Sequence, residues 1–200
     1  GAGALSAVLP DSGTGTNTTS LVKSGAGTWT LAATNTFTGN IAISGGTLYL
    51  NGANSTSNIT VVGGATLGGS GSANSATVTV AVAGTVEAGC GGSGSLTLAG
   101  LSFSGAGTNK VANIGNYTSA PAINVTSTDG LNLNGGAGSV TIKLSGDAPA
   151  GSGTAHIVQY AGAIGGAEFA GFSTNLDTSA MIGLGGRSIL TLTNNPNYVD

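Results

Sequence analysis

The chain has 200 residues, of which only 4 are Lys or Arg and 7 are Asp or Glu, giving a formal charge of −3. Charged residues make up 6% of it, against roughly 25% in an average globular protein, so no basic patch for nucleic acid or anionic lipid can form. With 40% apolar residues it is no disordered polyelectrolyte, and its 38 glycines and short apolar pairs suit thin layers of strands better than helices.

Taken in order, the opening GAGALSAVLP lacks methionine, a basic head and a long apolar run, so it does not read as a signal peptide. No stretch reaches the ~20 unbroken apolar residues of a bilayer span, and this segment is expected not to cross a membrane. Thr28-Trp29-Thr30-Leu31, Ile41-Ala42-Ile43, Thr77-Val78-Thr79-Val80 and Leu131-Asn132-Leu133 alternate with period two between Gly, Asn and Ser clusters. Glycines opening the same beat fall at Gly27, Gly46, Gly64 and Gly84, so the beat returns at nearly equal intervals. Short strands continue in GSLTL at 94–98, AINV at 122–125, LNLN at 131–134 and SVTIKL at 139–144. The tail TAHIVQYAGAIGG, with Tyr160, Phe169 and Phe172, is bulkier. After Ile189-Leu190-Thr191-Leu192, the final NPNYVD runs toward another strand, and both ends are expected to be cuts within a longer protein.

A repeat of this length predicts an all-β solenoid. One coil cannot bury its apolar side chains alone, but stacked coils share an interior and pair as parallel strands about 4.8 Å apart. Coils of about 18–20 residues are expected over 1–153, with 154–200 continuing or capping the same solenoid. Eight to ten such coils would give a rod of roughly 40–50 Å. Asn113 with Asn132 and Asn116 with Asn134 are spaced to stack as amide ladders at a corner.

The stretch KSGAGTWTLAATNTFTGNIAISGGTLYLNG resembles the autotransporter-associated β-strand repeat. The matching positions are Lys23, Gly25, Gly27, Thr28, Leu31, Asn35, Thr36, Phe37, Thr38, Gly39, Ile41, Ile43, Gly46, Thr47 and Leu48. SGAGTNKVANIG at 104–115 is a partial echo. The resemblance implies a right-handed parallel β-helix from the passenger region of an exported bacterial surface protein, extracellular or on the cell surface, with a bulkier C-terminal cap-like region. No catalytic residue belongs to the motif.

The residues able to carry chemistry point the same way. Cys90 is the sole cysteine and cannot form an internal disulfide; it reads as a small residue in a glycine-rich corner. His156 has no second histidine for a metal site and reads as structural. Asp129, Asp147 and Glu168 follow one another at close to one coil length, and would form an acidic column if coils kept that length, as in polysaccharide-cleaving β-helices. GGSGS at 68–72 and GCGGSGS at 89–95 lack the Lys-Ser/Thr ending of a phosphate loop. Trp29, Phe37, Tyr49 and Tyr117 suggest a sugar platform, although Trp29 and Tyr49 stand at different offsets in the beat. Asn17, Asn54, Asn58, Asn116 and Asn124 begin glycosylation triplets.

No catalytic, cofactor-binding or metal-binding residue is expected, and no cofactor. The expected role is a non-catalytic rod or stalk. The alternatives are a self-assembling filament or layer, an adhesive region touching surface glycans, and, last, a polysaccharide-active enzyme. Expected partners are further coils of the parent chain or sibling copies, end to end or side by side.

Overall fold

The computed structural model describes residues 1–13, 16–90, 94–112, 120–147, 154–172, 176–182 and 191–200. The chain winds between two walls. Its first coils contain β1 (Ala2–Leu5), β2 (Leu21–Lys23), β3 (Thr28–Leu31), β4 (Ile41–Ile43), β5 (Thr47–Leu50) and β6 (Asn58–Val61). The middle holds β7 (Thr66–Gly68), β8 (Ser72–Val80), β9 (Thr85–Glu87), β10 (Leu96–Phe103), β11 (Gly107–Ala112), β12 (Ile123–Thr128) and β13 (Leu131–Leu133). Then come β14 (Val140–Asp147), β15 (Val158–Ala161), β16 (Gly165–Gly166), a 3₁₀ turn at Glu168–Gly171, β17 (Asp177–Ile182), β18 (Asn194–Asn195) and β19 (Tyr198–Val199).

An eight-stranded sheet runs β1-β3-β5-β7-β9-β11-β14-β17, and an eleven-stranded sheet runs β18-β19-β15-β12-β10-β8-β6-β4-β2 with β13 and β16 beside it. Pairing between successive coils is parallel; the antiparallel strand pairs among the described residues are β15 with β19 and β18 with β19. This is the stacked-coil architecture that the period-two segments call for. Eight strands at about 4.8 Å put the outer pair roughly 34 Å apart, shorter than the sequence suggested.

Alternation settles which side chains go inside. Ile41, Ile59, Val78, Leu101 and Leu131 occupy one register column, and Ile43, Val61, Val80, Phe103 and Leu133 another. All ten are at most 1% exposed. Burying each such side chain contributes about 1.5–3 kcal/mol; a single coil gains little of this, because its neighbours above and below supply the cover. Gly46 turns one corner at φ +64°, where an added Cβ would lie 2.3 Å from Gly27 O.

The even coil length does not persist. From β3 to β9 the step is constant, with Thr28 pairing Thr47, Thr47 pairing Thr66 and Thr66 pairing Thr85. Beyond β9, Thr85 pairs Thr108, Gly107 pairs Val140 and Lys143 pairs Asp177. The step thus grows slightly at first and then by well over half. Inward columns hold the register across these unequal intervals, as a solenoid allows. The expectation of even coils up to residue 153 is therefore corrected to a uniform segment followed by longer register steps.

Candidate functional site

The signature lysine is the least expected feature. Lys23 is only 6% exposed, and its ammonium donates to Ser24 O at 3.0 Å, Gly25 O at 2.8 Å and Gly45 O at 2.8 Å. An ammonium has three donors, and these bonds tie the corner after β2 to the corner one coil later. Lys23→Met keeps the stem but removes the donors and should cost about 2 kcal/mol, read as a lower urea midpoint with unchanged slope.

A second latch is an amide ladder. Asn35 Nδ2 donates to Asn54 Oδ1 at 2.9 Å and to Ala33 O, Asn54 Nδ2 donates to Gly52 O, and Asn35 Oδ1 accepts from Leu9 N at 3.0 Å. The ladder thus stands at Asn35 and Asn54, one coil apart, rather than where the sequence suggested. Asn113 and Asn116 lie outside the described residues; Asn132 donates to Asp129 O, and Asn134 to Ser102 Oγ. Buried at 4% exposure, Asn54 is no glycan acceptor, whereas Asn17 and Asn58 are exposed. Asn124 is half-buried, and Asn116 again falls outside.

Asp11 clips the first long loop to the next coil. Its Oδ1 accepts from Thr19 N at 2.8 Å and Thr38 N at 2.9 Å, and its Oδ2 from Thr38 Oγ1 at 2.7 Å. These donors, the Thr19 amide first, hold the carboxyl below the usual carboxylate range. A folded-state value below the unfolded one gives stability that is complete above the unfolded pKa of about 4 and fades as pH falls through the lowered value. Asp11→Asn should therefore flatten the acid limb of melting temperature against pH and leave its neutral shape unchanged.

Polar residues align in register columns along the eight-stranded sheet. Thr28, Thr47, Thr66, Thr85, Thr108 and Thr141 form one unbroken hydroxyl column on the eight-stranded sheet. Thr30 and Tyr49 pair in the column beside it, which continues from Tyr49 to Gly68. Further along the same sheet Glu87, Lys110, Lys143 and Asp177 are successive register partners, and Lys143 Nζ lies 3.4 Å from Asp177 Oδ2. The chain has four basic and seven acidic residues, so this column gathers a large share of them. Its spacings follow the lengthened coils, which hid it in the sequence.

The suspected acidic column does not form. Asp129 sits at a bend with φ +57°, and its Oδ1 accepts from Ala163 N at 2.6 Å. Asp147 pairs in register with Ile182 at the end of β14, and Glu168 lies in the 3₁₀ turn. The intervals between these three match the early coils, whereas the coils that contain them are far longer. Among the described residues no group of three or more His, Cys, Asp and Glu is placed to hold a metal ion.

Cys90 is exposed, its thiol 3.4 Å from Asn51 Oδ1; residues 91–93 of its glycine run lie outside the described residues. His156 Nδ1 lies 2.6 Å from Asp200 Oδ1, and the ring stacks on Tyr198 at 4.2 Å. Asp200 also accepts from Asn195 Nδ2. Trp29 pairs with inward Leu48 while Tyr49 pairs with Thr30, so the two rings occupy opposite faces and make no common platform. Phe37 is fully buried, and Tyr117 lies outside the described residues. The bulk near the C-terminus is present, with Phe172 and Tyr160 buried and the Phe169 and Phe172 rings 6.3 Å apart.

These features define a parallel β-solenoid whose specialised side chains lock coil to coil. Residues 21–50 match the family described as the passenger-associated-transport-repeat, so the resemblance to the autotransporter passenger repeat holds over that stretch. No curated protein and no solved structure matches the chain.

Proposed function

We propose that the chain is a non-catalytic rod segment in the passenger region of an exported bacterial surface protein, displayed outside the cell. The supporting observation is the passenger-associated repeat at residues 21–50, seated in a parallel stack whose polar latches serve coil-to-coil registration. Reach and rigidity follow from continuous backbone pairing, which makes local opening costly. Four basic residues in the whole chain leave few sites for trypsin-like proteases.

Antibodies against the chain should label intact cells of the source organism, and electron micrographs should show slender projections. Labelling confined to broken cells would refute display, and turnover of a polyuronate by the purified chain would refute the non-catalytic role. A second reading, contact with surface glycans, draws on the exposed patch formed in register by Asn58, Thr77, Thr60 and Thr79. Salt-resistant binding on a glycan array, lost in Thr60→Ala/Thr79→Ala, would favour it.

A further inference from the structure

Asparagine followed by glycine is the pair most prone to react with itself, because glycine carries no side chain to hinder its nitrogen from reaching the asparagine side-chain carbonyl. The chain contains this pair twice, at Asn51-Gly52 and Asn134-Gly135. Both asparagines are exposed, so access to water does not tell them apart. Their hydrogen bonds do. At the first pair both backbone amides are held by the preceding coil, Asn51 N donating to Leu31 O at 2.9 Å and Gly52 N to the same oxygen at 3.2 Å. The side-chain carbonyl is held as well, since Asn51 Oδ1 accepts from Ser70 N at 3.2 Å and lies 3.4 Å from the Cys90 thiol. A bonded N–H must lose its partner before the nitrogen can attack, and that loss is costly.

The second pair lies in the turn between β13 and β14. Asn134 N donates to Phe103 O at 2.8 Å, which anchors the asparagine to the preceding coil. The Gly135 N–H, by contrast, has no partner among the described residues. Gly136 and Gly138 follow at φ +87° and +69°, and every residue from 134 to 138 is exposed. The Asn134 side chain donates once, from Nδ2 to Ser102 Oγ at 3.1 Å, and its Oδ1 has no partner among the described residues. One exposed bond therefore stands between this side chain and the neighbouring nitrogen.

We propose that Asn134 is a self-modification site, converted to a carboxylate by the Gly135 nitrogen without an enzyme. The Gly135 nitrogen gives its proton to water and attacks Asn134 Cγ. The Cγ–Nδ2 bond breaks, and Nδ2 takes a proton from water and leaves as ammonia. Water then opens the resulting cyclic imide at either carbonyl, giving an aspartyl or an isoaspartyl residue. Nothing is oxidised or reduced, and water is the sole co-reactant. The loss of Nδ2 removes the bond to Ser102, a tie to the preceding coil. The new carboxylate is a large change for a chain whose formal charge is −3. The site goes beyond the rod reading and does not rest on it, since it needs only the turn and its bonds.

Prolonged incubation of the purified chain at mildly alkaline pH tests it, read by isoelectric focusing and by elastase peptide mapping with tandem mass spectrometry. The expected result is an acidic variant that grows with time and carries its change at Asn134. Conversion there should run at least about tenfold faster than at Asn51, whose amides must first open. In guanidinium chloride strong enough to unfold the chain the two rates should converge, because each site then has only its Asn-Gly sequence. Asn134→Gln, whose longer side chain closes a less favoured ring, should remove the acidic variant. Equal rates at the two pairs in the folded chain, faster conversion at Asn51, a ratio that unfolding leaves unchanged, or an acidic variant that persists in Asn134→Gln would overturn the proposal.

Discussion

Val78→Asp is expected to abolish cooperative folding. Val78 is fully buried between Ile59 and Leu101 in an inward column, and the residues stacked on it are all aliphatic. A carboxylate there loses its water and meets no donor, which costs at least about 4 kcal/mol, at the extreme of single substitutions. Thr79→Asp, one residue along on an exposed position, should stay within about 0.5 kcal/mol. Urea unfolding followed by circular dichroism separates them, and equal midpoints would reverse the assignment of inside and outside for this wall. Ile43 is a weaker site for the same experiment, because its register neighbour Lys23 would place an ammonium beside the new charge.

The second large effect separates two reasons for glycine. Gly46 and Gly64 both have positive φ, at +64° and +79°. At Gly46 a Cβ would meet Gly27 O at 2.3 Å and Gly25 O at 2.5 Å, whereas at Gly64 it would meet nothing within 4 Å. Asparagine tolerates the left-handed region, so Gly64→Asn should cost no more than about 1 kcal/mol. Gly46→Asn should cost about 3 kcal/mol or more, since backbone oxygens of the preceding coil must shift. Equal melting temperatures for the two variants would show that conformation alone, and not coil spacing, selects glycine at Gly46.

How far the sequence reveals this molecule depends on where coil length is constant. Between Leu21 and Glu87 the interval hardly varies, so apolar alternation, glycine corners and the family pattern all report the same register. Past β9 the register is kept by inward side chains across longer and unequal intervals, and fixed spacings mislead. That arithmetic groups Asp129, Asp147 and Glu168, which are separate, and misses Glu87, Lys110, Lys143 and Asp177, which share a column. Lys23 is legible as part of a motif but not as a buried donor. Gly45 O reaches it only through the stacking of the next coil. The Asn35 and Asn54 ladder has the right interval in plain view; what hides it is the abundance of asparagine.

The sealed Lys23 corner has a practical effect on detecting the protein. After Lys23 the next basic residue is Lys110, and Lys23 is itself held in a hydrogen-bonded bend that trypsin must open before cutting. Between Lys23 and Lys110 trypsin can therefore release only one oversized fragment, ill suited to mass-spectrometric sequencing, and its peptides come from beyond Lys110, where Lys143 and Arg187 follow. Elastase, which cuts after small residues, would open these uniform coils to peptide mapping where trypsin does not.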